Sequence, residues 1–312
     1  MKPDHSVTVL IPCHNEEQAI VEVVRELQQK LPGCAIVVID NLSTDSTAQF
    51  AESAGAQVIS EPRLGKGYAM RRGISSTDSD IYVMLDGDGT YGIENLPAAI
   101  EKVAHQGYDM VCGVRETAST GSLFSESDEY RQGHTLGNVL ITKALNLLFD
   151  MNLHDSLSGF RVFSRPFAKS FQHFSQGFEL EIDFNVHASQ LKIAVDEIPV
   201  AYKSRLPGSF SKLKTYQDGY RILLRLLGLF LDHRPQMATL LMAILPFSFS
   251  TILILTPIQE YIQTGMVGKF PSLIAGTSLL LLSCSIIILG VVLNKISSTK
   301  QLLIRQEYAR SM

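Results

Sequence analysis

The sequence predicts an α/β domain built on a mostly parallel sheet, followed by an amphipathic interfacial helix and a two-helix transmembrane hairpin. Three observations predict it. Short apolar runs alternate with helical patterns through the first two thirds of the chain, polar turns close each run, and two long uncharged stretches fill the last third. The hydrophobic share of 46% over 312 residues is therefore an average over two solvents. The α/β domain is expected at 1–213, the juxtamembrane helix at 214–235, the hairpin at 236–294 and a tail at 295–312.

The run Val7 to Pro12 reads as a strand, followed by a polar turn and an amphipathic pattern from Glu16 to about Leu31. The alternation returns with AIVVID and a helix after Asp45, with QVIS and a helix after Lys66, and with IYVMLD and a helix from about Glu94. YDMVCGV adds a fifth strand. Apolar strands alternating with helices indicate a parallel sheet covered on both faces, with ligands at the carboxyl ends of its strands. Further on, Arg131 to Phe149 and Glu179 to Leu191 read as helices, and GFRVFS and IAVDEIPVAY as strands.

Lys214 to Asp232 differs in kind. Lys214, Asp218, Arg221, Arg225 and Asp232 recur every three to four residues, with Ile222, Leu223, Leu226, Leu227 and Phe230 filling the rest of the circumference. Such a basic amphipathic helix suits a membrane interface, the alternative being a helix packed on the globular core. Met237 to Ile258 and Ser272 to Leu293 carry no charge, and each would span roughly 33 Å as a helix. Pro246 and Pro257 predict a kink in the first. Lys269 is the only basic residue between the stretches, whereas Arg221, Arg225 and Arg234 precede them and Lys295, Lys300, Arg305 and Arg310 follow. That bias predicts a multi-pass inner-membrane protein with both flanks, the first domain and the C-terminus in the cytoplasm. The alternative is a hairpin buried in a soluble core.

A net charge of -4 excludes the basic character of a general nucleic-acid binder. Cys13, Cys34, Cys112 and Cys284 show neither C-x-x-C spacing nor a zinc-finger pattern, so reduced thiols are expected. The first residues, MKPDHSVTVLIPCHNEE, are too polar for a signal peptide. The eight histidines show no H-E-x-x-H and no Ser-His-Asp order.

The chemistry-bearing motifs sit at strand ends. In DGDGTY, Asp86 and Asp88 follow the strand IYVML, where two carboxylates one residue apart can face one divalent cation or the phosphates it carries. Acidic turns are common on surfaces; the position at a strand end singles this one out. IPCHNEE and VIDNLSTDST follow the first two strands, so Pro12, Asn15, Glu16 and Asp40 gather at the same edge. Ser43 and Asp45 there serve equally well as helix caps or as ligands. In RLGKGYA, Gly65 and Gly67 allow close backbone approach around Lys66, one cation for a diphosphate, although no P-loop is present. Glu179, Glu181 and Asp183 occupy a helix first turn, where the helix dipole alone accounts for negative charge.

Taken in order, IPCHNEE, VIDNLSTDST, GKGYA, DGDGT, GVR, DSLSGFR and SKL resemble the inverting family 2 glycosyltransferases, whose fold is the Rossmann-like GT-A, and within them the polyprenyl-phosphate (dolichyl- or undecaprenyl-phosphate) sugar synthases. The resemblance implies that Pro12, Asn15, Glu16 and Asp40 hold the nucleoside of a nucleotide-sugar, with Lys66 beside the donor. It implies Mg2+ or Mn2+ at Asp86 and Asp88, and Asp155 near the acceptor as a base or a positioning group. Arg115, Arg131, Arg161, Ser211 and Lys212 become candidates for the acceptor phosphate. Some relatives have glutamine two residues past the second aspartate, where this chain has Thr90.

The reaction so implied moves a hexose, UDP-glucose being the donor suggested by bacterial relatives, onto a polyprenyl phosphate at the membrane with inversion. The resemblance also allows a homo-oligomer, a tetramer among them. Two rivals stay open: a membrane-anchored enzyme of the same fold acting on a saccharide or lipid-linked hydroxyl, and a non-catalytic nucleotide-binding scaffold. A processive polysaccharide synthase is disfavoured, because a chain without tryptophan lacks the Q-x-x-R-W motif.

Overall fold

The computed structural model describes residues 5–117, 129–171, 179–203 and 215–312, without the side chains at 117, 129–136 and 215–222. Ser211 and Lys212 lie outside the described residues, as do the side chains of Arg131 and Arg221. The chain divides into two compact units, Met1–Leu226 with Ile304–Met312, and Leu227–Leu303.

The first unit is organised by strands β1 (Val7–Cys13), β2 (Ala35–Asp40), β3 (Gln57–Ser60), β4 (Ile81–Met84), β5 (Met110–Thr117), β6 (Arg161–Ser164) and β7 (Val195–Tyr202). They form one sheet in the order β3-β2-β1-β4-β6-β5-β7. The first four strands are parallel, as are β5 and β7, whereas β6 runs antiparallel to both neighbours. The antiparallel insertion decides where the site forms. Met84 pairs with Arg161, and Cys112 also pairs with Arg161. The start of β6 therefore lies level with the end of β4 and with Cys112 of β5, which runs on to Thr117, and this brings the DSLSGFR loop to the DGDGT turn.

The helices are α1 (Ile20–Lys30), α2 (Thr47–Ser53), α3 (Lys66–Ser76), α4 (Leu96–His105), α5 (Glu129–Phe149), α6 (Arg165–Ser170), α7 (Leu180–Leu191) and α8 (Thr215–His233). Helix α1 begins four residues later than its amphipathic pattern predicts. Residues 15–17 are held instead by the β2–α2 loop: the Asn15 N–H donates to Ser43 Oγ, that of Glu16 to Thr47 Oγ1, and that of Glu17 to Asp45. Helix α6 went unpredicted. It is short, capped by Ser164 accepting from the Phe167 N–H, and has proline in its first turn.

Alternation along the strands builds two cores. Val9, Ile11, Val38, Val83 and Val162 pack with Ile20, Val24, Leu27 and Leu96 of the helices on one face. Leu10, Ile39, Met84 and Phe163 pack with Met70, Phe167 and Phe184 on the other. Phe163, Phe167, Phe171 and Phe184 stack on one another at centroid distances from 4.4 to 6.3 Å. Cys13, Cys34, Cys112 and Cys284 form no disulfide.

In the second unit, α9 (Pro235–Thr264) and α10 (Phe270–Ser311) are joined by a turn that opens on Gly265 in the left-handed conformation. Both helices are long and apolar enough to cross a membrane, and only 22% and 17% of their most apolar windows are buried, unlike core helices of a soluble protein. They pack antiparallel through small residues: Ser272 Oγ donates to the Leu253 carbonyl and Ser283 Oγ to that of Ala243. A methyl group on Gly276 would press on Ile254, and one on Gly290 would overlap Thr239. Close backbone approach through such residues is the usual way helices associate in lipid. Helix α10 continues past the apolar stretch, and its last turns belong to the first unit. There Arg305 donates to the Gln190 carbonyl, Tyr308 to the Asp109 carboxylate, and Arg165 to the Ser311 carbonyl.

Candidate active site

The DGDGT turn is held from below. Leu85 donates to the Leu10 carbonyl, continuing the ladder past β4. Gly87 lies so close to the Cys13 sulfur that a side chain there would overlap it. Asp88 is 5% exposed, and its Oδ1 accepts from the Thr90 N–H at 3.1 Å and from the Thr90 hydroxyl at 2.7 Å. Thr90 thus orients the second aspartate. Asp86 is more open, with its carboxylate against the backbone of Gly159, where a methyl group would overlap it. Gly159 is itself fixed by its N–H donating to the buried Tyr91 hydroxyl at 2.8 Å.

Lys66 stands at the first position of α3, on a loop that Asn41 fastens. The Asn41 amide accepts from the Gly65 N–H at 2.6 Å and donates to the Arg63 and Glu61 carbonyls. Gly65 holds φ 143, open to glycine and strained for any other residue. From there Lys66 Nζ reaches Asp86 Oδ1 and Glu181 Oε1, both at 2.6 Å. Burial opposes the ammonium charge, but the two carboxylates outweigh it and hold the Lys66 pKa above its ordinary value. Burial pushes the Glu181 carboxyl up, Lys66 opposing it, and Glu181 Oε2 is buried with no hydrogen-bond partner among the described residues. Two carboxylates therefore compete for one ammonium, a site short of positive charge. Sequence reasoning missed Glu181, because the dipole of its own helix was explanation enough.

At the other side of the edge, Cys13 pairs with Asp40 and Pro12 with Ile39, which places the ends of β1 and β2 side by side. Asn15 adopts φ 55, and its Oδ1 accepts from the Thr44 N–H at 2.7 Å. Among the described residues Asp40 Oδ1 is buried without a hydrogen-bond partner. Pro12, Asn15, Glu16 and Asp40 thus share one end of the sheet with Asp86 and Lys66.

The expected acceptor residues are distributed differently from the sequence reading. Arg115 and Asp155 pair with each other, Nε to Oδ2 at 2.6 Å and Nη2 to Oδ1 at 2.9 Å, with Asn138 donating a further bond to Asp155. Burial would raise the Asp155 pKa, but these donors, Arg115 foremost, hold it below the usual carboxylate range. Glu197, which sequence reasoning also missed, accepts from the backbone N–H groups of His154 and Asp155. Arg161 requires a correction. It is wholly buried, donating to Asn185 Oδ1 at 2.6 Å and to the carbonyls of Ser156 and Ser158, so its guanidinium braces the DSLSGFR loop from within and presents nothing to a phosphate. Its place in the apolar strand GFRVFS was the signal.

Two carboxylates, Asp86 and Asp88, suit a hard divalent cation that takes the rest of its shell from phosphate and water. Among the described residues there is no cluster of three or more His, Cys, Asp or Glu that would hold such an ion unaided. The donor set therefore fits an ion that arrives with a phosphate-bearing ligand.

Residues 8–171 match the family described as Glycosyl transferase family 2. The chain is 32% identical over 226 residues to the glycosyltransferase AglJ of Haloferax volcanii, covering 72% of this chain and 71% of that one. It is 26% identical over 216 residues to the dolichyl-phosphate hexose transferase of the same organism, covering 69% of this chain and 90% of that one. Among solved structures, glucosyl-3-phosphoglycerate synthase from Mycobacterium tuberculosis, in complex with Mn2+, UDP-glucose and phosphoglyceric acid, aligns with a TM-score of 0.59 at 21% identity over 73% of this chain and 81% of that one. That likeness is one of fold.

Proposed function

The chain belongs to glycosyl transferase family 2, and from that membership we propose that it transfers a hexose from a nucleoside-diphosphate sugar to a polyprenyl phosphate at a membrane surface, with inversion. The observation that carries the reading is the Asp86–Lys66–Glu181 cluster at the carboxyl edge of the sheet. In the proposed reaction an acceptor phosphate oxygen forms the new bond to the anomeric carbon while the bond to the nucleoside diphosphate breaks. Asp86 and Asp88 would hold Mg2+ or Mn2+, which neutralises charge on the departing diphosphate. Lys66 would turn from Asp86 toward that diphosphate while keeping Glu181. Pro12, Asn15, Glu16 and Asp40 would receive the nucleoside, the free Asp40 oxygen being suited to a base or ribose donor.

The state of Asp155 supports a phosphate acceptor over a hydroxyl. A carboxylate held ionised by Arg115 and Asn138 is a poor general base. A phosphate monoester, with its second pKa near 6, is already ionised at neutral pH and needs none. Asp155 thus reads as a positioning group that fixes Arg115, with Ser211, Lys212 and Arg131 the remaining candidates for the acceptor phosphate. The two apolar helices support a membrane anchor, and the basic residues flanking them favour a catalytic domain and C-terminus on the cytoplasmic face of the inner membrane.

The test is a screen of radiolabelled nucleotide-sugars against short polyprenyl phosphates, using the full-length protein and reading product mass. A single acid-labile glycolipid of one hexose per lipid phosphate is expected. Label entering only polysaccharide, or only a lipid-linked hydroxyl, would reject the phosphate acceptor.

A further inference from the structure

The first turn of α7 carries two buried carboxylates that point to different partners. Glu181 reaches Lys66, and through it Asp86. Asp183, two positions later on a different side of the helix, accepts from Arg225 of α8 through Nε at 2.9 Å and Nη2 at 2.8 Å. The Asp183 side chain is 0% exposed and that of Arg225 is 32% exposed, so the pair joins a fully buried helix to one at the surface. Residues 180–188 of α7 are buried throughout, so the helix is packed along its length. Helix α8 leaves Leu223, Leu224, Leu227 and Leu231 exposed, a row at helical spacing that suits the headgroup boundary of a bilayer. Arg225 is turned inward from that row.

We propose that Arg225 and Asp183 are positioning residues of the transfer reaction: seating of α8 on the bilayer is carried through their ion pair to the first turn of α7, which sets Glu181 and hence Lys66 and Asp86 for the donor diphosphate. The proposal rests on the reading of the reaction given above. It assigns function to an arginine that positive-inside bias otherwise explains and to an aspartate that helix-dipole complementarity otherwise explains. It needs no movement of the sheet, because a short shift or rotation of α7 moves Glu181 relative to a lysine anchored on the Asn41-fastened loop.

The test compares full-length wild type, Arg225→Ala and Arg225→Lys in phosphatidylglycerol-containing vesicles and in octyl glucoside micelles. The acceptor is a short-chain polyprenyl phosphate soluble in both, and the donor is the nucleotide-sugar that gives product in the screen above. Wild type is expected to turn over at least tenfold faster in vesicles, and Arg225→Ala to lose that advantage with an unchanged KM for the donor. Arg225→Lys should recover most of it. A purely structural role would lower both rates by one factor, and an unchanged vesicle-to-micelle ratio in Arg225→Ala overturns the tie, as does a wild-type ratio of one. Hydrogen exchange of the α7 first turn gives a second measure independent of turnover. Its protection should rise from micelle to vesicle in wild type and not in Arg225→Ala; equal rises in both overturn the tie. Should wild type make no glycolipid in either medium, the reading of the reaction fails while the exchange result still decides the tie.

Discussion

Asp86→Asn and Asp88→Asn are each expected to lower hexosyl transfer by about 100- to 1000-fold, the range seen when one preorganised group facing developing charge is removed, while the protein still inserts and folds. The two losses have different origins. Asp86 is partly open and shares Lys66 with Glu181, so its amide would leave the ammonium committed to Glu181 and weaken the grip on the cation. Asp88 is buried and oriented by Thr90, so its amide would remove a fixed oxygen donor with little room to substitute another. Gly159→Ala supplies a control that keeps both carboxylate side chains and disturbs only the setting of Asp86. Its methyl group would overlap the Asp86 carboxylate and push it aside, so transfer should fall with the aspartates intact. Initial rates on membranes normalised to protein amount measure all three. Full activity of both asparagine variants would remove the diphosphate site at these carboxylates from the account, whereas no transfer by wild type or either variant would favour a non-catalytic scaffold.

Arg115→Ala should destabilise the first unit by about 3 kcal/mol, the cost of leaving one member of a largely buried pair without its partner. Asp155 would keep Asn138 as a donor but lose both guanidinium bonds. The pH dependence has a definite sign. The folded Asp155 pKa lies below its unfolded value, so the pair contributes fully above about pH 4, the unfolded aspartate value, and the contribution is lost as pH falls through the lower folded pKa. Denaturant midpoints from pH 7 to pH 3 should therefore fall less steeply for Asp155→Asn than for wild type. Parallel curves for the two proteins would show that Asp155 does not carry the linkage.

Much of the fold was legible because its strands are apolar on both faces. VTVLIP, AIVVID and IYVML admit no solvent-facing arrangement, and the helices between them force parallel crossovers. The antiparallel course of β6 was not legible, since a four-residue strand carries no direction in its composition. That one reversal brings the loop before Arg161 to Asp86. At the site, Asp86, Asp88 and Lys66 could be named because each lies beside glycines at a strand end. Glu181 and Asp183 could not, because a sufficient local reason for a carboxylate hid a partner more than a hundred residues away in one case and forty-two in the other. Arg161 misled for the opposite reason: its charge suggested a phosphate, while its alternation with Val162 and Phe163 in a core strand marked it as buried. Arg115 and Asp155, forty residues apart, were each assigned to the acceptor, and only the folded sheet shows that they satisfy each other.

The cation-dependent grip on a nucleoside diphosphate proposed for Asp86 and Asp88 is tested most directly by calorimetric titration of UDP into the full-length protein, with Mn2+ present and with EDTA. Binding in Mn2+ that weakens at least tenfold in EDTA, and that Asp88→Asn reduces to the EDTA level, is the predicted result. Equal affinity in both buffers, or an Asp88→Asn protein that still responds fully to Mn2+, would contradict it.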